Sequence, residues 1–354
     1  MQTQCSLKAV FIIAYCLFCA PVNAAEIAVR LDNPPASGQV ALVLFDSANT
    51  FADLRDPAMV VYYFLDGRDQ YLLEEVPPGE YALLVYYDEN GNNRIDKNFI
   101  GIPKEPLGFS NRYRPKGPPT YQRAAFELLQ DEPRIFDVAL YRPLGEFGRI
   151  GAGAGIIARS SPYRDYSGAV SQVIPAITYN GDRLQIFGPK IQLGLAGSGK
   201  LRLAATGRYR IGVYDEEDSE FLKGMGDRKD TFMAGLAIQA ELPGGVDVSA
   251  NYEFDLLDRI GGSEARLEFS KTIQLGMFRF SPAIAVNWTS SKLSNHDYGV
   301  AASQSTVVRP AYYLDDVYSA EAGAGIFIEI TQDWLVIINL AAEMLSNDVT
   351  ASPI

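Results

Sequence analysis

Residues 231–256 read TFMAGLAIQAELPGGVDVSANYEFDL, and apolar and polar side chains alternate along them almost without a break. Two such runs flank the turn Pro243-Gly244-Gly245, and two more follow as far as Trp288. A period of two is typical of β-strands with one apolar and one polar face. Each run has about eleven residues, the length with which a tilted strand crosses a bilayer. Because only a closed barrel can expose strands to lipid without unpaired backbone groups, this stretch predicts a transmembrane β-barrel.

The same alternation extends over residues 147–354, where we count about ten segments joined by alternating short and long connections. The apolar phase changes at Gly188-Pro189, which predicts a bulge or a break that splits one segment into two strands. The domain is therefore an antiparallel barrel of about 10–12 strands. The pattern shows no last strand to close the barrel, so we expect either a C-terminally truncated barrel, which we favour, or a barrel that closes unusually.

The connection lengths predict an orientation. The long connections, residues 214–229 and 290–316, are separated by four strands and so lie on the same side. Bacterial barrels place long loops outside the cell and tight turns in the periplasm. The turns at residues 198–199, 243–245, 275–277 and 331–333 are then periplasmic.

The polar face of these strands carries charges of both signs. The predicted lumen network consists of Arg202, Arg208, Arg210, Asp247, Glu253, Asp255, Glu264, Arg266 and Glu268, with Glu321 and Glu329 on a later strand. One interpretation is a selective pore or a buried catalytic site. The other, which we favour, is a network of ion pairs that fills a narrow lumen, because inward polar residues are obligatory in this architecture.

Residues 1–25 have the features of a secretory signal. Lys8 precedes an apolar core over residues 9–20, and Val22-Asn23-Ala24 is a small-residue cleavage pattern. All three cysteines lie inside this segment, so the mature chain is expected to have no disulfide and no thiol chemistry. The net charge of −12 excludes a basic footprint for nucleic acid. The sequence thus predicts an exported protein that binds no nucleic acid.

Residues 26–142 form a separate domain of short segments punctuated by Pro, Gly and Asp. About seven short strands in this length predict a small, soluble, antiparallel β-sandwich. Its most distinctive residues are Asp88, Asn90, Asn92 and Asp96, whose spacing matches the first part of a calcium-binding loop. Asn93 stands where such a loop needs glycine, and Phe99 stands where it needs a bidentate Glu. The alternative is a turn whose Asp and Asn side chains bond their own backbone.

Both domains resemble known families. The run Pro77-Pro78-Gly79-Glu80-Tyr81-Ala82, followed by the Asp88–Asp96 loop and by Gly108-Phe109-Ser110-Asn111, resembles exported transthyretin-like sandwich domains of unknown function. Beyond residue 147 the chain resembles the MltA-interacting protein (MipA/OmpV) family of outer-membrane barrels. The residues that carry this resemblance are Gly151-Ala152-Gly153-Ala154-Gly155, Ser161-Pro162-Tyr163, Ile174-Pro175-Ala176 and Asp333-Trp334. The resemblance implies a scaffold that binds a lytic transglycosylase and a murein synthase at the outer membrane.

The residues give little support to an enzyme. His296 is the only histidine, and it lies beside Ser294 and Asp297 in the long connection 290–316, where we expect a solvated, mobile loop. Neighbours along a mobile loop cannot hold one another in a Ser-His-Asp geometry. We therefore predict a non-enzymatic protein without a cofactor, which contacts outer-membrane lipid and holds its sandwich in the periplasm as a scaffold. The alternatives are a small channel and a calcium- or ligand-binding module on a membrane anchor.

Overall fold

A computed structural model of the chain describes residues 25–130, 132–164, 169–198, 200–331 and 333–354. Apart from Ala25, the predicted signal segment lies outside these residues. In the described residues the chain is mostly β-strand, with four short α-helices. None of these helices has both the length and the apolar character that crossing a membrane requires. The all-β prediction is confirmed.

The N-terminal domain contains eight strands in two sheets. They are β1 (Ala25–Leu31), β2 (Gln39–Phe45), β3 (Met59–Phe64), β4 (Tyr71–Val76), β5 (Gly79–Asp88), β6 (Leu107–Phe109), β7 (Ala125–Leu128) and β8 (Arg134–Val138). One sheet has the order β4-β1-β8, and the other has the order β3-β2-β5-β6 with β7 beside β5. One pairing differs from the expected antiparallel sandwich, because β1 and β8 run parallel. A parallel pair needs a long crossover, and residues 32–133 supply it.

The two sheets enclose a shared core. Ile27, Leu42, Leu73 and Leu83 come from different strands of both sheets and are fully buried there. A second core lies on the opposite face of β2 and β5, beneath α1 (Ala48–Asp53) and α2 (Tyr121–Ala124). Strands β2 and β5 are thus covered on both faces, which explains why their sequences are continuously apolar rather than alternating.

The C-terminal domain is one large antiparallel sheet. Its strands are β9 (Arg149–Ser160), β10 (Ala169–Asn180), β11 (Leu184–Phe187), β12 (Lys190–Ser198), β13 (Leu201–Arg210), β14 (Thr231–Leu242), β15 (Val246–Asp255), β16 (Ser263–Lys271), β17 (Ile273–Leu275), β18 (Phe278–Thr289), β19 (Val317–Glu329) and β20 (Leu335–Met344). Neighbours in sequence pair with one another, and the short β17 pairs with β18 beside β16. Among the described residues, no pairing joins β20 to β9.

The predicted split at Gly188-Pro189 is confirmed. Strands β11 and β12 form an antiparallel hairpin, and Gly188 between them has φ +55°, a backbone conformation that favours glycine. The alternation of faces is confirmed as well. Along β14 the side chains of Leu236 and Ile238 are 53% and 52% exposed, whereas Met233 and Ala237 are 0% and 1% exposed.

The sheet has two different ends. We call one the short-turn end, since residues 181–183, 243–245 and 276–277 join its strands there. The other, the long-loop end, carries the connections 211–230 and 290–316. The second of these contains α3 (Ser291–Tyr298), and α4 (Asn347–Thr350) follows β20 at the same end.

Contacts at the long-loop end show that the sheet is curled. Tyr163, three residues beyond β9, donates a hydrogen bond to the Asp297 carbonyl oxygen in α3, which directly follows β18. In a flat sheet these two strands would be about 38 Å apart, given ~4.8 Å for each of the steps between them. The side chains of Tyr163, Tyr214, Leu222 and Ile354 pack together above the strands.

Candidate functional site

The N-terminal domain lies against the short-turn end of the barrel sheet. Residues of the sandwich contact the turn after β10, the body of β12 to β14, and the ends of β18 and β19. These contacts have three parts: a loop whose tip packs on the inner face of the sheet, a buried carboxylate, and a rim of ion pairs. We call the loop over residues 96–103 the plug loop.

Asn98 gives the plug loop its shape. Its side-chain oxygen accepts hydrogen bonds from the backbone N–H groups of Ile100 and Ile102, at 3.1 and 2.8 Å, and thereby closes a tight turn. Its amide nitrogen donates to the Gly181 carbonyl oxygen at 2.7 Å, and the Phe99 N–H donates to the carbonyl oxygen of Asp182 at 3.1 Å. One buried side chain thus both folds the loop and attaches it to the turn after β10.

Phe99 at the tip of the loop packs on the inner face of the sheet. Its ring is 8% exposed and forms a small cluster with Ala204 of β13 and Ala237 of β14. A Cβ added to Gly194 of β12 would overlap this ring, so the glycine leaves the space that the ring fills. The Arg202 guanidinium lies 5.9 Å from the ring centroid and donates to the Phe99 carbonyl oxygen at 3.1 Å. Three small residues and one cation therefore form a socket for a single aromatic side chain.

Glu329, the last residue of β19, forms the second contact. It is 9% exposed, and its Oε2 accepts hydrogen bonds from the Tyr113 hydroxyl at 2.6 Å and the Thr120 hydroxyl at 2.7 Å. Burial, reinforced by this carboxylate, raises the pKa of Tyr113, so the phenol stays protonated and donates. Two hydroxyl groups of the sandwich thus bind one oxygen of a carboxylate at the edge of the barrel interior, while its other oxygen, Oε1, is buried without a hydrogen bond from the described residues.

Ion pairs surround these contacts at the rim. Asp53 of α1 pairs with Arg279 of β18 at 3.0 Å, and Lys104 pairs with Asp182 at 2.9 Å. Arg55 pairs with Glu241 of β14. The Lys97 ammonium donates to the Asp53 carbonyl oxygen at 2.7 Å, and burial lowers the pKa of this lysine. The rim pairs are partly exposed, so they orient the domain more than they stabilise it.

Inside the sheet, two arginines each bind two carboxylates. Arg208 pairs with Glu253 at 3.3 Å and also with Glu264. Arg266 pairs with Glu268 at 2.7 Å and with Glu321 at 2.8 Å. Each guanidinium bridges different strands, so these five-donor groups serve as cross-links between strands. The predicted lumen residues Arg208, Glu253, Glu264, Arg266 and Glu268 are therefore brought together as two clusters.

The other predicted lumen residues have separate contacts. Arg202 binds the plug loop, and Arg210 pairs with Asp297 of α3 at 2.5 Å. Asp255 accepts from the Thr231 hydroxyl and from the backbone N–H groups of Ile260 and Gly261, so it orders the turn after β15. Asp247 lies opposite Glu241 in the pairing of β14 with β15.

His296 lies in a helix rather than in a solvated loop, which corrects the sequence interpretation. Its side chain is 15% exposed, and its Nδ1 lies 3.0 Å from an Asp297 carboxylate oxygen. The Ser294 hydroxyl instead donates to the carbonyl oxygens of Thr289 and Ser290, at 3.3 and 3.0 Å. The serine hydroxyl thus bonds back to backbone carbonyl groups one turn earlier in the chain, as serines inside helices often do.

The Asp and Asn side chains of the predicted calcium loop do come together. Asp88 accepts from the backbone N–H groups of Asn92 and Asn93, at 3.1 and 2.7 Å. The Asp96 carboxylate accepts from the side-chain amides of Asn90 and Asn92, at 2.6 and 3.1 Å. Each of these carboxylate oxygens thus already has a partner, as the self-bonded turn requires, and a cation would have to displace the two amides. In the described residues, no three His, Cys, Asp or Glu side chains are grouped as metal ligands.

Sequence reasoning missed the plug loop and the role of Glu329. A signal for the first was present, because Phe99, Ile100 and Ile102 are large apolar residues within this loop. An exposed loop of that composition is expected to contact something. Glu329 was included among the lumen charges, but its partners Tyr113 and Thr120 lie more than 200 residues away in sequence.

Two family models match the chain. Residues 30–135 match DUF2141, described as an uncharacterized protein conserved in bacteria. Residues 151–354 match the model of the MltA-interacting protein MipA. The two matches follow the two domains of the structure.

Similar proteins are outer-membrane proteins. Omp26La of Vibrio anguillarum is 29% identical over 142 residues, which cover 40% of this chain and 55% of Omp26La. The chain thus spans about half the length of that relative. The MltA-interacting protein of Escherichia coli is 28% identical over 217 residues, which cover 58% of this chain and 84% of that protein.

Among solved structures, OmpT, an outer membrane protein of Vibrio cholerae, aligns over 90% of this chain and 89% of its own, with 10% identity and a TM-score of 0.24. Since the MipA model covers more than half of the residues, the chain belongs to the family of the MltA-interacting protein MipA.

Proposed function

We propose that this protein is a non-enzymatic scaffold that anchors its sandwich domain at the periplasmic side of the outer membrane for envelope machinery. In this proposal the exposed apolar band, which includes Ile150, Ile284 and Leu340, contacts lipid. The short-turn end faces the periplasm, because barrels of this kind keep their turns short on that side. The sandwich is then held directly beneath the barrel.

The observation that carries the proposal is the socket for Phe99. A domain that only needed a tether could follow the barrel through a flexible linker. Here one aromatic ring, one buried carboxylate and several ion pairs fix its orientation relative to the strands. A fixed orientation favours a docking platform, since partners then meet a surface of defined geometry.

The name of the Escherichia coli relative suggests the class of partner. That protein is called MltA-interacting. From the similarity of the two chains we infer that a murein hydrolase, together with a murein synthase, binds this protein. A channel is less well supported, because the plug loop occupies the short-turn end while the aromatic cluster around Tyr163 lies across the long-loop end.

The test is co-purification. The tagged full chain is extracted in mild detergent and bound proteins are identified by mass spectrometry, with an unrelated outer-membrane barrel as reference. We expect enrichment of a murein hydrolase or synthase, and a loss of that enrichment in Gly194→Leu, which displaces Phe99. Recovery equal to that of the unrelated barrel would contradict the scaffold role, and stable conductance steps in a planar bilayer would favour the channel instead.

A further inference from the structure

Strand β3 is an edge strand without the features that usually protect such edges. It is the outermost strand of the order β3-β2-β5-β6, and no described residue pairs with its outer side. From Pro57 to Leu65 the sequence PAMVVYYFL contains no charged residue. Native edge strands are normally blocked by Lys, Pro, bulges or a covering element, because open edges pair with other chains.

The open backbone groups and the exposed side chains belong to the same residues. The Leu65 N–H donates to the Gly38 carbonyl oxygen at 2.9 Å. Backbone groups alternate in direction along an antiparallel strand, so Val60, Tyr62 and Phe64 direct theirs to the outer side. These three side chains are also the exposed ones, at 37%, 38% and 76%, while the intervening residues pack on the core.

We propose that β3 binds an extended segment of a periplasmic partner, which adds to the sheet as a further strand. The unpaired N–H and C=O groups fix the occupant as extended polypeptide, since only another strand satisfies the whole row. The charge-free span fixes its side chains as uncharged, with apolar residues at alternate positions facing Tyr62 and Phe64.

The size of the edge argues against a second folded copy of this chain. Six residues span about 20 Å, whereas a stable interface between folded proteins uses roughly 20–30 residues on each side. A flexible segment of a partner needs only the strand contact itself. The inference rests on the scaffold function proposed above and supplies the kind of partner that it would hold.

The test uses the full chain in detergent micelles and a fluorescent peptide of alternating valine and threonine with terminal lysines. Binding is followed by fluorescence anisotropy, with the same peptide N-methylated at alternate backbone nitrogens as control. We expect micromolar binding of the first peptide only.

Val60→Pro, which removes an outward N–H and no bond to β2, should weaken binding at least ~10-fold. Val60→Thr, which keeps the N–H, should stay within about threefold, and both variants should keep the melting temperature of the parent.

Equal binding of the N-methylated peptide, undiminished binding by Val60→Pro, or no binding up to about 1 mM would each overturn the proposal. Co-purification separates this failure from a failure of the scaffold function. If the edge is not the binding site but the scaffold function holds, Val60→Pro should still recover the murein enzymes. If the scaffold function fails, the peptide should still distinguish Val60→Pro from the parent.

Discussion

Phe99 joins the two domains through both its ring and its backbone. Its ring fills the space above Gly194, Ala204 and Ala237, while its carbonyl oxygen accepts from Arg202. From their alternation, the sequence predicted that these strands have a polar, inward face. It could not predict what fills the space, because the ring comes from a loop about 100 residues earlier, and short-range patterns do not encode such contacts.

Gly194→Ala should undock the sandwich, since the new methyl group takes the position of the Phe99 ring. We expect protease cleavage in residues 143–148 to become at least ~10-fold faster, which corresponds to about 1.4 kcal/mol of lost docking free energy. The matched control is Gly153→Ala, whose added Cβ would lie 3.8 Å from Ala176 Cβ and should change nothing. Unchanged cleavage of the Gly194 variant would show that the Phe99 ring does not hold the sandwich in place.

Glu105 should make the sandwich less stable as pH rises. Burial, together with Asp96 and Asp88, raises the pKa of this carboxyl above its ordinary 4.5. The folded state therefore holds the proton more tightly than the unfolded state does, so stability present below pH 4.5 is lost as pH climbs through the raised pKa. Glu105→Gln removes this pH dependence of stability, because the amide does not titrate. We measure the unfolding midpoints of parent and variant from pH 4 upward. As pH rises through the raised pKa, the midpoint of the parent should fall more steeply than that of the variant. Parallel plots of midpoint against pH would contradict the prediction.

At the scale of elements, the strands were the most predictable part of the molecule. Strand β14 was predicted as an alternating segment of about eleven residues and is observed at Thr231–Leu242, with 12 residues. The hairpin of β11 and β12 was predicted from a phase change at Gly188-Pro189. Helix α3 was missed, because its eight residues show little amphipathic pattern and owe their conformation to contacts with β13 and with residue 314.

The pair of Arg210 with Asp297 should hold α3 in place at the long-loop end. Both side chains are largely buried, at 12% and 6% exposure, so Arg210→Ala leaves the Asp297 carboxylate without its arginine and, among the described residues, in contact only with His296. Such losses cost about 3–5 kcal/mol. We expect faster amide exchange throughout residues 290–316, measured by mass spectrometry. As a control, Arg68→Ala removes an exposed ion pair with Asp66 and should leave exchange unchanged. If α3 in the Arg210 variant is protected as well as in the parent, the pair of Arg210 with Asp297 is dispensable.

The loop from Asp88 to Asp96 permits a test of the calcium hypothesis. Calcium binding to the folded state alone would raise the melting temperature of the full chain, and Asp88→Ala would abolish the rise. Asp69→Ala, outside the loop, should preserve it. If millimolar calcium shifts neither the parent nor the variants, the loop is a self-bonded turn, which its hydrogen bonds already match.

At the scale of the whole molecule, the all-β fold was predicted correctly, and the contacts by which the sandwich docks on the large sheet were not predicted. The sequence indicated a sandwich followed by a barrel because the first part has short segments punctuated by Pro, Gly and Asp, whereas the second part has long alternating segments. Their docking depends on single residues such as Glu329, whose chemistry is indistinguishable in sequence from that of other inward charges. A charged residue on a barrel strand predicts an interior position, but only the fold reveals whether another strand or another domain satisfies it.

In the proposed scaffold, the barrel sheet both anchors and orients the sandwich domain. The ring of Phe99 contacts β13 and β14, the Glu329 carboxylate belongs to β19, and the rim pair of Asp53 with Arg279 involves β18. Strand β3, by contrast, keeps its outer edge open. One side of the sandwich is thus used for attachment, and another remains available to a partner.

Carbodiimide cross-linking of the native chain tests this docking most directly. Lys104 of the sandwich and Asp182 of the barrel are 2.9 Å apart and partly exposed, so a zero-length reagent should join them. Lys223 and Glu220, 2.6 Å apart within one loop, provide an internal control. We expect mass spectrometry to recover both cross-linked peptides from protein in outer-membrane vesicles. Recovery of the Lys223–Glu220 product without the Lys104–Asp182 product would contradict the docked arrangement.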